Sequence, residues 1–466
     1  MDLVLYWRLG MSGPGERLCG CWCLVPRVLL LVGWLCSLPT PGRAQTPVSE
    51  WMLAGPYPAE RVNREAYPSF YSIFLAPWRE IEADPGGTVD LDLQMSRENP
   101  QGDLVIARHV FRSDTERVVD LEIGFAGEVD VFFDRLRVFS GRRAGAMPQD
   151  EAMGELGSPD RVPLYVKKGL NEIFLMVSSR DGPWAFRAGT TEPLAPKIRA
   201  HELTAELWAT PDTFLTSESV LKDPSRPLLY VSSFDNEYAQ KQEPSGYISR
   251  LSLDGEILEH RWVDGLHAPT GMDAWMDTLY VAEREHLLAI DMASGEVAGR
   301  WAIPDPVFPN DLVIDGEGTV YISDTRTGNW PDSRIYRFKD GRFDIFANEG
   351  INGANGLWIH DGWLIVGSSG DGLLKRVELS TGRMETIISL GAGIIDGIRV
   401  DARGNYLVSH WEGQLYRIDP RGEVVEILDA LPQGWNTADF EYLPEESLIL
   451  MPTFLDNRVR AIRIRG

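Results

Sequence analysis

One short apolar pattern, repeated six times, constrains the fold of this chain more than any other feature. The segments LLYVSS, TLYVAE, TVYISD, WLIVGS, NYLVSH and SLILMP place Tyr230, Tyr280, Tyr321, Ile365, Leu407 and Ile449 at one register, 50, 41, 44, 42 and 42 residues apart. A unit recurring at that period buries its apolar faces against its own copies. Six copies predict a β-propeller of six four-stranded blades. A further apolar strand follows each segment, and five of them end in a turn pair: Asp254-Gly255, Ser294-Gly295, Asp340-Gly341, Thr381-Gly382 and Arg421-Gly422. Glycine at the second turn position supplies the positive φ that a two-residue hairpin requires. The last repeat, ending in RVRAIRIRG, is one strand short. ELWAT, at 206–210, is placed to supply that strand and close the ring, which removes the exposed sheet edges.

Ahead of the repeats, residues 49–200 alternate differently. VVDLEIGF sets Val119, Leu121, Ile123 and Phe125 on one side, EVDVFFDRLRVFSG continues with Val129, Val131, Phe133, Leu136 and Val138, and NEIFLMVS adds Ile173, Leu175 and Val177. Short alternating strands between Gly, Asp and Ser turns predict an antiparallel β-sandwich, and GTTEPLAPK at 189–197 reads as a linker into the propeller at 201–466. The whole chain is thus expected to be all-β. WMLAGPYP, ARHVFRSDTERVVDLEIGFAGEVDVFFD and GLNEIFLMV resemble the galactose-binding-like jelly-roll modules attached to secreted hydrolases. That resemblance implies a carbohydrate partner for this domain, with Trp51, Trp78 and Trp184 as the rings that could stack on sugar faces or simply pack in the core.

Residues 1–44 read as an export signal. Arg17 and Arg27 precede VLLLVGWLCSL, and Gly42, Arg43 and Ala44 form a small-x-small end. The apolar run is too short for a membrane span, so a secreted or periplasmic protein with no membrane association after cleavage is expected. Cys19, Cys21, Cys23 and Cys36, the four cysteines, all lie in this segment, which leaves no disulfide or thiolate chemistry for the rest of the chain. A net charge of −24 repels phosphate backbones and argues against nucleic acid as a partner.

Ten to twelve residues before each repeat anchor stand Glu218 in SESV, Asn310 in FPND, Asn355 in GANG and Asp396 in IIDG. The second repeat offers Pro269 and Thr270 there, and the sixth Ala438 and Asp439. The innermost strand of every blade lines the channel, so one register means one height on the axis. Four oxygen-bearing side chains should then converge. Glu, Asn, Asn and Asp are hard ligands without a His or Cys among them, which favours Ca²⁺, with Mg²⁺ or Mn²⁺ as alternatives and Zn²⁺ the poorest match. Asn and Asp before Gly are also ordinary turn residues, a role that does not account for Glu218.

Together, ESV near the first blade, PNDLVIDGEGTVYISDT at 309–325, GANGLW at 353–358 and DGIRVDARGNYLVSHWEGQLYRIDP at 396–420 resemble the SMP-30/gluconolactonase/LRE family. The resemblance implies a six-bladed propeller with a divalent ion, usually Ca²⁺, in its channel. It implies Glu218, Asn355 and Asp396 as metal ligands and Asn310 as a further asparagine facing substrate beside the metal. Phe308 stands where lactonases of sugar lactones often carry arginine, which points to a less polar ester or lactone. Asp311 and Leu312 also depart from the Asp-Gly that usually follows this asparagine.

The chain carries no GxSxG, P-loop, HExxH or dinucleotide-binding pattern. A cation held by two carboxylates and two amides can polarise a lactone carbonyl and stabilise its oxyanion, with Asp396 taking a proton from water. His267, two residues before the second register position, and Thr270 are candidate substrate contacts, and His410 is a second histidine to weigh as a base, placed nearer the far end of the channel. The expected activity is metal-dependent hydrolysis of a lactone or ester. The alternative is a non-catalytic ligand- or protein-binding propeller of the NHL type, or one whose calcium is purely structural.

Overall fold

Six antiparallel four-stranded sheets follow one another from residue 217, each built on one of the six repeat segments as its second strand. The computed structural model describes residues 45–67, 77–99, 102–143, 156, 159–180, 182–235, 244–326 and 332–465. The expected export signal and its four cysteines lie outside the described residues. Innermost strands are Ser217–Lys222, Met272–Trp275, Pro309–Ile314, Ala354–His360, Ile395–Val400 and Glu441–Leu443. Leu229, Val281, Ile322, Val366, Val408 and Leu450, all from second strands, are fully buried between neighbouring sheets.

The ring closes as the sequence predicts. Thr204–Ala209 pairs with Arg458–Ile464 and supplies the outer strand of the sixth blade, so the two ends of the ring share one sheet. Of the five predicted turn pairs only Asp340-Gly341 is a two-residue hairpin, with φ of 50° and 75° and Lys339 paired to Arg342. The others sit in longer loops, where an aspartate side chain such as Asp291 or Asp419 accepts backbone N–H groups and shapes the turn itself.

Residues 46–190 form two facing antiparallel sheets over one core. Val119, Leu121, Ile123, Phe125, Val129, Val131, Ile173, Leu175 and Val177 all point into it. Leu136 and Val138 do not, being 71% and 40% exposed. Among the described residues their strand, Leu136–Arg143, pairs only with Gly127–Phe133, and a bulge at Val131/Phe132 shifts its register. Trp51 and Trp184 are core residues whose indole N–H groups donate to the Val48 and Val177 carbonyls, so neither presents a face to a sugar. Trp78 is half-buried against apolar clusters of both the sandwich and the propeller.

The stretch at 189–197 is not a free linker. Ala195–Pro196 pairs with Asp103–Ser113, and Ile198–Arg199 runs parallel to the outer strand of blade 5. Gly169–Leu170 likewise pairs with Ser389–Leu390 of blade 4. Glu426, whose side chain is fully buried, accepts Lys197 Nζ at 2.7 Å and faces His201 Nε2 at 3.0 Å. Sandwich and propeller therefore belong to one compact unit.

Candidate cation site in the propeller channel

The asparagine between small residues in NGANGLW sits in a β-bulge. Pairing of blade 4's inner strand jumps from Ala354 to Leu357, leaving Asn355 and Gly356 outside the ladder. Equivalent jumps isolate Glu218 in blade 1, Asn310 and Asp311 in blade 3, and Asp396 and Gly397 in blade 5. A bulge bends the strand and re-aims the extra side chain, which turns a residue near the start of the inner strand toward the channel in blades 1, 3, 4 and 5; the inner strands of blades 2 and 6 pair without such a jump. Glu218, Asn310, Asn355 and Asp396 are 6%, 7%, 2% and 3% exposed, so their polar atoms depend on neighbours inside the protein.

Close approach of the inner strands explains the glycine after Asn355 and after Asp396. A Cβ on Gly356 would lie 1.5 Å from the Asp396 carbonyl oxygen. In blade 3 the same place holds Asp311, and its carboxylate bridges the seam by accepting Leu312 N at 2.7 Å and Leu357 N at 2.6 Å. Asp273 does the same with Ala274 and Ile314, and Glu441 with Tyr442 and Lys222. Asp439, the sixth blade's acid, accepts Ser219 Oγ at 2.6 Å and faces Arg399 Nη1 at 3.3 Å. These four carboxylates are already paired and join one blade to the next.

Two other oxygens in this register are not. Among the described residues, Glu218 Oε2 and Asn355 Oδ1 are buried acceptors without a hydrogen-bond partner. The Asn355 side chain lies beside the Asp396 carboxylate and favours its charged form, while its Oδ1 stays open. Burial and then the charges of Asp396, Asp439 and Asp311 push the Glu218 carboxyl well above the usual range. Asp396 is pushed well up by burial and Asp439, against the lowering effect of Asn355. Each unpaired buried acceptor costs about 1–3 kcal/mol. A hard divalent cation would satisfy both acceptors and offset the carboxylate repulsion, so the donor set fits one. It is a set of two carboxylates plus amides; no group of three or more His, Cys, Asp or Glu side chains suited to a metal occurs among the described residues.

Asn310 occupies the matching bulge and donates from Nδ2 to Thr325 Oγ1 at 3.3 Å. The Thr270 hydroxyl lies 3.2 Å from both the Ala282 and Pro309 carbonyls, at a blade seam. His267 is half-buried at the same end of the channel, held through its backbone N–H to Glu283 Oε1. His410 is also at this end, because it pairs with Ile395, and not at the far end as its spacing suggests. It is a buried core residue stacked edge-on against Tyr416, and burial lowers its pKa to about 3. Farther along the inner strands is a cavity of about 200 Å³ lined by Asp273, Asp311, Glu441 and Arg399, whose carboxylates are the paired ones. The bridging role of Asp311 had one sequence signal: an aspartate in the place that Gly356 and Gly397 fill in the next two blades.

A family model described as SMP-30/Gluconolactonase/LRE-like region matches residues 244–438. No curated protein matches the chain. Among solved structures, a chain of a nidogen/laminin complex is 16% identical over 46% of this chain and 86% of its own, with a TM-score of 0.37. Virginiamycin B lyase from Staphylococcus aureus is 14% identical over 56% and 98%, with a TM-score of 0.41. Regucalcin from Agrobacterium tumefaciens, described as a calcium-binding protein, is 16% identical over 55% and 93%, with a TM-score of 0.40.

Proposed function

We propose that this chain, whose residues 244–438 belong to the SMP-30/Gluconolactonase/LRE-like region, is a secreted, divalent-cation-dependent hydrolase of a lactone or ester. One observation carries the reading: two buried oxygens, Glu218 Oε2 and Asn355 Oδ1, have no partner, while the paired carboxylates around them all do. Glu218, Asn355 and Asp396 would hold the cation, with Asn310 beside them, and Ca²⁺ suits their oxygens best. When bound, such an ion supplies Lewis acidity toward a carbonyl and lowers the pKa of water.

The rest of the chemistry belongs to the chain. Asp396 would accept a proton at its carboxylate, with the neighbouring Asn355 side chain favouring the charged form. Asn310 can donate to a substrate oxygen through Nδ2 by exchanging the long bond to Thr325. Near-complete burial of all four side chains limits competing water. Phe308, half-buried just ahead of Asn310, favours substrates less polar than sugar lactones.

A panel of γ- and δ-lactones and aryl esters, assayed with Ca²⁺, Mn²⁺ or EDTA, tests the proposal. Hydrolysis that EDTA abolishes, and that falls at least about a hundredfold in Asp396→Asn, is the expected result. Chelation that lowers Tm while no substrate is turned over would assign the ion a structural role and reject the enzyme.

A further inference from the structure

The hairpin of Gly127–Phe133 and Leu136–Arg143 turns on Asp134 and Arg135, and both have positive φ, 47° and 69°. Two-residue turns of this hand usually take Asn-Gly, and side chains at both positions cost backbone strain. Each side chain has a use across the junction with the propeller. Asp134 pairs with Lys167 Nζ at 3.0 Å, and that ammonium also donates to the Asp371 carbonyl of blade 4. Arg135 Nη2 donates to the Gly393 carbonyl at 2.7 Å, three residues ahead of Asp396.

The loop that Arg135 grips leads directly into the Asp396 bulge. Both Glu412 carboxylate oxygens accept Ile394 N, at 3.1 and 3.0 Å, and Trp411 N donates to the Ile394 carbonyl at 2.9 Å. Trp78, from the same domain as Arg135, packs in the apolar cluster that contains Ile394, Trp411 and Phe454. The loop is thus held by its own blade at Ile394 and by the front domain at Gly393.

We propose that Arg135 is a positioning residue of the cation site: the front β-sandwich fixes Gly393 and thereby the aim of Asp396 toward the channel axis. This rests on the reading of Glu218, Asn355 and Asp396 as a cation site. It gives the front domain a part in cation affinity separate from any ligand of its own.

Calorimetric titration of Ca²⁺ into the full chain tests it, alongside Tm, for the wild type, Arg135→Gly, Arg135→Lys and Lys197→Ala. Arg135→Gly suits the backbone of the turn, so the variant is expected to fold, with Ca²⁺ affinity about tenfold weaker. Arg135→Lys should recover most of that loss. Lys197→Ala, which breaks a junction pair to the buried Glu426, should lower Tm and leave the affinity unchanged. Unchanged affinity in Arg135→Gly, or an equal loss in Lys197→Ala, would overturn the proposal. A wild-type chain that binds no Ca²⁺ overturns the cation site and this inference with it.

Discussion

At the residue scale, burial of a polar atom is informative only together with its partner. Asp273, Asp311, Asp439 and Glu441 are acids near the axis whose oxygens accept backbone or side-chain donors. Glu218 and Asn355 keep oxygens that nothing among the described residues satisfies. Burial also decides the protonation of His109 in the sandwich. Its ring lies between Trp51 and Phe111, Nδ1 meets the Glu50 carbonyl at 2.7 Å, and Nε2 has no partner. Desolvation holds its pKa down to about 4 from 6.5. The unfolded chain therefore takes up a proton at a higher pH than the folded one, so His109 costs nothing above about pH 6.5 and destabilises increasingly as pH falls toward about 4. His109→Gln should flatten that part of the Tm profile. A profile identical to wild type between pH 6.5 and 4 would remove His109 as its cause.

At the element scale, the unit of the candidate site is the bulge opening the inner strands of blades 1, 3, 4 and 5. It frees one residue from the ladder, and where glycine follows it lets the next blade's strand come close. Gly356→Ala would drive a Cβ into the Asp396 carbonyl. A loss of about 3 kcal/mol in denaturant unfolding, together with weakened cation binding, is expected; a variant as stable as wild type would contradict the close approach. Much of this was legible beforehand, because counting back from the repeat anchors places Glu218, Asn310, Asn355 and Asp396 at one height without any side-chain detail. What stayed hidden depends on pairing offsets between strands distant in sequence. The bridging roles of Asp311 and Glu441 follow only once the neighbouring N–H groups are located. Leu136 and Val138 alternate like core residues, yet past the bulge at Val131/Phe132 it is Phe139 of their strand that packs against the core, and they lie on the exposed side. GTTEPLAPK has a linker's composition, yet Gly189, Thr190 and Ala195–Pro196 are strand-paired within the sandwich, and Ile198–Arg199 just beyond it joins blade 5.

At the scale of the whole molecule, the six repeats dictate a ring, and Thr204–Ala209 closes it. The sandwich is then fastened to blades 4 and 5 by two parallel strand pairings and the Lys197–Glu426–His201 contacts. That placement brings Arg135 within hydrogen-bond distance of the loop preceding Asp396. The family match, residues 244–438, spans only part of the propeller and none of the sandwich, whose attachment sets the chain apart from a bare ring. Everything rests on one cation at the axis. Anomalous diffraction from crystals soaked in Mn²⁺, for wild type and Glu218→Gln, measures this most directly. The account predicts a single channel peak within about 2.5 Å of Glu218 Oε2 and Asn355 Oδ1 in the wild type, weakened or lost in Glu218→Gln. A channel without a peak, or a peak indifferent to Glu218→Gln, would contradict it.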